Sequence, residues 1–386
     1  MKQGFRTIFK RSVLQLVRRP LYWVAFFLLP FFCFLFLSTL MENGLPDKAP
    51  AAVIDNDGST LSRQITQNLD GMQMVDIVAM PDSYSQARHL MQEGKIFGFF
   101  LIPDNFQADL LAGRSPRISF YTNMAYYVPG SLLYKTFKST AVYTKASVAS
   151  DVLSEVGLTQ NPTPLMQPVN INVRPLGNPG LNYSWYLCVS FIPCVLQLMI
   201  LLTTCFSLGQ EIKYKGTHKL MQLANGSILK AVSAKLLPQT ILWMVIVIFM
   251  EAWLFKWQGY PMRGSWWWIT LSEVMFVLAS QGFGLFIFAI LPNLRLSLSV
   301  AALSGILSFS IAAFSFPMES MYGAVGIFSY IVPIRYNYLI YIDQGLNGTD
   351  IFYSRLWYIA YIIFILLPLP ALPRLKKAFL KPVYVP

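Results

Sequence analysis

The sequence predicts a polytopic α-helical membrane protein: six transmembrane helices plus an extracytoplasmic α/β domain inserted after the first. Three observations carry this. Of 386 residues, 55% are hydrophobic and only 12% charged, about half the charged fraction of an ordinary soluble chain. Apolar runs near the roughly 20 residues that cross a hydrocarbon core occur six times, at 21–40, 184–208, 236–255, 266–291, 297–316 and 356–373. The polar residues between the first two runs, 41–183, have the composition of a soluble domain.

Residues 1–20 are basic and amphipathic. Phe5, Ile8, Phe9, Val13, Leu16 and Val17 recur at helical spacing, with Arg6, Lys10 and Arg11 between them. That pattern suits an elbow helix lying in the interface plane, or a basic flank that only enforces topology. Residues 21–40 carry no charge. The run is too long for a signal-peptide core, and no A-x-A cleavage site follows it, so it reads as a retained first span.

Within 41–183, strand-like and helix-like runs alternate, which predicts a small α/β domain. Ala51–Asp55, Met74–Ala79, Ile96–Ile102 and Arg117–Tyr121 read as strands. Ser59–Leu69, Ser83–Glu93 and Asp104–Ala112 read as helices, with Ser59, Ser83 and Asp104 as N-caps. A longer helix is expected over 124–156, followed by a Pro/Asn-rich link over 160–182. Asp55, Asp57 and Asp70 superficially suggest a Ca²⁺ loop. The EF-hand spacing is absent, and IDNDGSTLS reads more simply as strand, turn and helix cap.

Residues 184–373 hold five further spans. Their longer connections are a cytoplasmic loop at 209–235 and an outward region at 317–355, and residues 374–386 form a cytoplasmic tail. Orientation follows from the basic residues near the span ends. With the N-terminus in the cytoplasm, that side collects sixteen of the 30 basic residues and one of the 18 acidic ones. Its balance is +15, and the rest of the chain carries −3. Both termini are then cytoplasmic and 41–183 lies outside the cell membrane. The net +12 is therefore topology and contact with anionic lipid. Nucleic-acid binding would need a basic patch with base-reading groups, and none is visible.

Enzyme signatures are missing. There is no G-x-x-x-x-G-K-[ST]: Gly94–Lys95 has His89 where the first glycine belongs. There is no G-x-S-x-G and no H-E-x-x-H. His89 and His218 fall in different compartments, and all four cysteines lie in apolar runs. No catalytic residue, metal site or cofactor is expected in this chain, nor a disulfide framework.

Charges inside spans are functional suspects. Glu251 lies near the outer end of the third span, with Lys256 five residues on. It reads as a snorkelling interfacial pair, or as a polar point on a path. Glu273, about 10 Å into the fourth span at 1.5 Å per residue, is either a carboxylate on the substrate path or a structural hydrogen-bonding group. Ser308 is a second path candidate. Like Ser190, Thr203, Thr204, Ser304 and Ser310, it is also of the type that packs helices. Trp266, Trp267 and Trp268 read as an interfacial belt, and Pro30 and Pro193 as span kinks.

The stretch GQEIKYKGTHKLMQLANGSILKAVSAKLLPQ, 209–239, carries the most specific pattern. Glu211, Gly216, Thr217, Lys219 and Leu220, the Asn225–Gly226 turn and a helix with Lys235–Leu236 resemble the permeases of the type-2 ABC exporter family. Two further stretches agree. Phe316 to Met321, then Tyr330–Pro333 and Tyr336, look like that family's outward re-entrant region. One span, a large domain opening with Ile54 to Ser59, the run FGFFLIPDNFQADLLAG at 97–113 and five more spans resemble its drug-, sodium- and bile-salt-efflux branch. The family usually has a second acidic residue in its coupling element, where His218 and Lys219 stand here.

The resemblance implies a transport subunit without a nucleotide site of its own. Glu211, Gly216, Thr217, Lys219 and Leu220 would form the element that docks on a separate ABC ATPase subunit, which holds ATP and Mg²⁺. Pro317, Glu319, Met321, Pro333 and Tyr336 would belong to the re-entrant gate. The chain would pair with a second copy or a related permease in a bacterial inner membrane. Its outer domain would meet a periplasmic adaptor or gate release. The substrate would be a drug-like, amphipathic or ionic molecule moved out of the cytoplasm or inner membrane. An ion-gradient-driven secondary transporter and a non-transporting envelope scaffold are the competing readings. The former should show inverted repeats and paired mid-membrane carboxylates; no convincing repeat is visible, and only Glu273 is moderately deep.

Overall fold

A computed structural model describes residues 4–40, 48–72, 74–112, 114, 116–123, 129–137, 182–314 and 318–382. The chain divides into two units, Asn43–Arg174 and Met1–Glu42 with Pro175–Pro386.

The second unit begins with α1, Phe5–Arg18. Arg19 is extended, and Pro20 then opens α2, Pro20–Leu40. A proline suits a first helical position, where its missing N–H is not needed. One π-helical turn, Val24–Leu28, interrupts α2 just before Pro30, where the proline could not have donated to an ordinary α-helical bond.

The α/β unit contains β1 Ala49–Asp55, α3 Thr60–Asp70, β2 Val75–Ala79, α4 Tyr84–Gln92, β3 Gly98–Ile102, α5 Phe106–Leu111, β4 Ser119–Thr122 and α6, 129–137. The sheet order is β2-β1-β3-β4. β1 pairs in parallel with β2 and β3, and β4 runs antiparallel to β3. Side chains alternate across a strand, and β1 uses both faces. Ala49, Ala51 and Val53 pack with Ile65 and Leu69 of α3, whereas Ala52 and Ile54 pack with Ala87 of α4. Helices thus cover both faces, which explains the continuous apolar reading of β1.

Ser59 and Ser83 cap α3 and α4, accepting from the amides of Ser62 and Gln86. Asp104 does not cap α5. Asn105 holds that place in a left-handed conformation, φ 55°, without a side-chain cap, a conformation asparagine tolerates. The three aspartates do not converge as a Ca²⁺ loop would require. Asp55 accepts from the amides of Asp57 and Gly58 and from the Ser62 hydroxyl. Asp57 accepts from the Gln107 amide and Asp70 from that of Ile77. The helix expected over 124–156 is present at 129–137; the rest of it, and the link up to Asn182, lie outside the described residues.

After α6 come α7 Tyr183–Lys213, α8 Thr217–Leu223, α9 Ile228–Trp257, α10 Trp266–Ile290, α11 Leu294–Ile311, α12 Gly323–Ser329, α13 Pro333–Ile340, α14 Ile351–Leu366 and α15 Leu372–Leu380. Among the described residues six helical segments are long and apolar enough to cross a membrane: α2, α7, α9, α10, α11 and Ile351–Leu380. α7 is the most deeply buried of them and packs against α2, α10, α11 and α13. Trp267 and Trp268 are exposed, as a lipid-interface belt requires.

Several boundaries differ from the sequence reading, three of them at the 209–235 connection and the tail. α7 runs five residues past its apolar run, and α9 starts eight residues before its own. The 209–235 connection is therefore mostly helix. The 374–386 tail is also helical at its start: Leu375 and Phe379 of α15 are buried against the helical core.

Phe100 is fully buried in the sheet core, its ring 5.3 Å from that of Phe137. Truncating such a phenylalanine costs about 3–5 kcal/mol. Phe100→Ala is expected to make 43–174 sensitive to limited proteolysis, with the thermal unfolding of the helical unit unchanged.

Candidate functional site

The C-terminal turn of α7 carries a carboxylate that the surrounding helices enclose. Glu211 is 2% exposed. Its Oε2 accepts from Arg11 Nη2 of α1 at 2.7 Å, and its Oε1 accepts from Lys235 Nζ of α9 at 2.7 Å. Gln15 of α1 bridges the two, donating to Glu211 Oε1 at 3.2 Å and accepting from Lys235 Nζ at 2.9 Å. Charge-assisted bonds of this length are the strong kind. Lys235 is itself buried, so each charge has its counter-charge where water is excluded.

α8 is built directly on this cluster. The Glu211 carbonyl accepts from Gly216 N at 2.7 Å, across Lys215 in a left-handed turn at φ 54°. Gly216 is required for space: a Cβ there would run into Glu211 Oε2 and lie 2.9 Å from Arg11 Nη2. At the far end of α8, Leu223 O accepts from Gly4 N, and the left-handed Asn225–Gly226 pair turns the chain into α9. α8 also packs on α15.

The five coupling candidates therefore divide. Glu211, Thr217 and Leu220 are buried, and Gly216 is half-buried beside the carboxylate. Of the five only Lys219 is exposed, on a face shared with His218 and Gln222. Glu211 lies beneath that face, bonded to α1 and α9, rather than on it. Arg11 and Gln15 escaped the sequence reading because their partner is about 200 positions away; an isolated acid at the end of an apolar run is the only local signal.

The re-entrant candidates follow the same logic. Pro317 and the Glu319 side chain lie outside the described parts. Met321 closes a 3₁₀ turn over Met318–Ser320, donating its amide to Met318 O. Pro333 opens α13, and Tyr336 donates its hydroxyl to Tyr330 O at 2.9 Å. The amide of Ile334, an orphan of this helix start, donates to Gln197 Oε1 of α7 at 2.8 Å. Gln197 Nε2 donates in turn to Ser308 Oγ of α11, which donates to Ser304 O. Ser308 thus links α11 to α7, as a helix-packing residue does. Gln197 was missed because capping across helices leaves no local pattern.

The two intramembrane carboxylates face one cavity of about 40 Å³ between α7, α9, α10 and α13. Glu251 accepts from the Thr270 hydroxyl at 3.1 Å, and Glu273 from Asn337 Nδ2 at 2.7 Å. The Glu251–Lys256 pair does not form. Lys256 lies over the Trp266 ring, 5.1 Å from its centroid, which leaves Glu251 directed inward.

The sequence model described as "ABC-2 family transporter protein" matches residues 20–369. The chain belongs to the ABC-2 transporter family. Two relatives, each described as "Probable multidrug ABC transporter permease YbhS", come from Escherichia coli K12 and Escherichia coli O157:H7. Each is 22% identical over 340 residues, covering 86% of this chain and 85% of its own. This ABC-2 chain is accordingly a multi-pass membrane subunit of an ABC transporter, and the family implies an ABC ATPase partner.

Removing one partner of a buried ion pair costs about 3–5 kcal/mol, whereas replacing both with apolar groups is often neutral. Glu211→Leu is expected to lower the thermal midpoint of the purified protein strongly, because it leaves the buried Lys235 without a counter-charge. Adding Lys235→Met to it should recover much of that loss. Gly216→Ala, which forces the carboxylate away from Arg11, is expected to destabilise by more than the exposed Lys219→Ala in the same melting assay.

Proposed function

We propose that this ABC-2 permease is the membrane subunit of an ATP-driven exporter. It moves an amphipathic, drug-like or ionic substrate outward with energy from a separate ATPase subunit. The observation that carries this reading is α8: an exposed, basic face held by a buried ion pair to α1, α7 and α9. A short helix so anchored passes a push to the spans instead of bending away from it. The description of the two relatives as probable multidrug permeases supports the drug-like substrate class.

The remaining parts follow from the same reading. In this reading both termini and α8 are cytoplasmic, at a bacterial inner membrane, and the +15 balance supports that orientation. Residues 41–183 then stand outside, where a periplasmic adaptor would meet the transporter. Two copies, or this chain with a related permease, would enclose the path. ATP and Mg²⁺ bind the partner.

The ion-gradient reading has one observation in its favour, since Glu251 and Glu273 share a cavity as a coupled carboxylate pair would. ATP dependence separates the two. In inside-out vesicles with the ATPase present, uptake is expected to require ATP and to survive collapse of the proton gradient. Uptake that persists without ATP and collapses with the gradient overturns the exporter reading. Lys219→Glu is expected to cut ATPase co-purification at least tenfold while the permease still inserts and melts normally. Protease should reach 41–183 only from the extracytoplasmic side.

A further inference from the structure

The geometry points to a binding site between Glu251 and Glu273 for the ammonium head of a hydrophobic amine. It deepens the transporter reading, on which it rests, by naming a substrate class.

Four features of the cavity select this ligand. Two carboxyl groups line it, and among the described residues no Lys, Arg or His does. Neither acid takes part in an ion pair of the described structure. Glu251 is 5% exposed, and its Oε2 has no hydrogen-bond partner among the described residues. Buried polar atoms are almost always partnered, and acids within spans mark ligand or ion paths. An unpartnered, buried carboxylate oxygen on a residue that lines a cavity is therefore a vacant acceptor.

The donor should be organic. A hard metal ion takes six or more oxygen ligands. Here the Asn337 amide points its N–H at Glu273, and most of the lining is Val, Ile, Leu, Met and Phe side chains. Such walls suit the carbons beside an ammonium, and the rings of Phe255 and Tyr341 suit its charge. Size narrows the class further. One water needs about 10–15 Å³ of such space, so about 40 Å³ admits a primary ammonium with its first methylenes. A cation carrying four bulky arms is too large.

The test uses the full-length protein in phosphatidylcholine nanodiscs, without ATPase or ATP, and hexylammonium by equilibrium dialysis against empty discs. Saturable binding is expected, at least tenfold weaker in Glu251→Gln and in Glu273→Gln. Glu251→Asp, which keeps the charge, should bind within threefold of the parent. Hexanol and tetraphenylphosphonium should show no saturable binding. Thermal unfolding of each variant checks the fold. Absence of saturable binding in the parent, or equal binding in both glutamine variants, overturns the proposal. Displacement of hexylammonium by millimolar sodium overturns it too, in favour of an inorganic cation. The transporter reading fails separately: amine binding with ATP-independent transport leaves this site standing and removes the exporter, and ATP-driven export without amine binding does the reverse.

Discussion

A carboxylate shut away from water must have positive charge brought to it, and Glu211 draws that charge from both sides of the fold. Arg11 reaches it from the first helix and Lys235 from the ninth. Removing the carboxylate would leave the buried Lys235 uncompensated, which is far more costly than never having built the pair. Few low-energy alternatives are then open to this end of the molecule. The tilt of α1, the end of α7, the turn at Lys215–Gly216 and the start of α9 are fixed together. The exposed side of α8 inherits its position from them.

Three polar side chains along the spans are matched in different ways, and the differences are informative. Glu211 is matched by full charges. Gln197 is matched by neutral groups on two other helices, a hydroxyl and a backbone amide. Glu251 is matched on one oxygen only. The first two arrangements hold helices together and leave nothing for a ligand. The third leaves one carboxylate oxygen without a partner among the described residues, on a side chain that lines a cavity.

Much of this was legible in the sequence. The six apolar runs located the six long helices, because a bilayer imposes length and composition on any segment that crosses it. Ser59 and Ser83 announced their helices, because capping is a local bond. What was not legible shares one cause. Lys213, Lys219 and Glu211 looked like a solvated loop. The partners that let Glu211 continue a helix in a buried place come from remote positions. The same holds for Ser308, whose partner Gln197 is on another helix, and for Glu251, whose nearest lysine in sequence turned to Trp266 instead. Asn105 escaped because a left-handed residue replaced the expected cap. Polar side chains in spans are read correctly only when their distant partners are known.

The length of α7 has a mechanical meaning. At 1.5 Å per residue its 31 residues make a rod of about 46 Å, the full depth of a bilayer with its headgroups. The Glu211 cluster grips one end. Gln197, about 21 Å along the rod, grips the start of α13 and, through Ser308, α11. A rod held near its end and at its middle behaves as a lever with a second bearing. A tilt of a few degrees at the first grip would become a displacement of about 1–2 Å at the second, by the same rise per residue. That is comparable to the shifts by which packed helices switch between arrangements. α11 and α13 would be carried along with α7 by hydrogen bonds rather than left to follow through soft side-chain contacts.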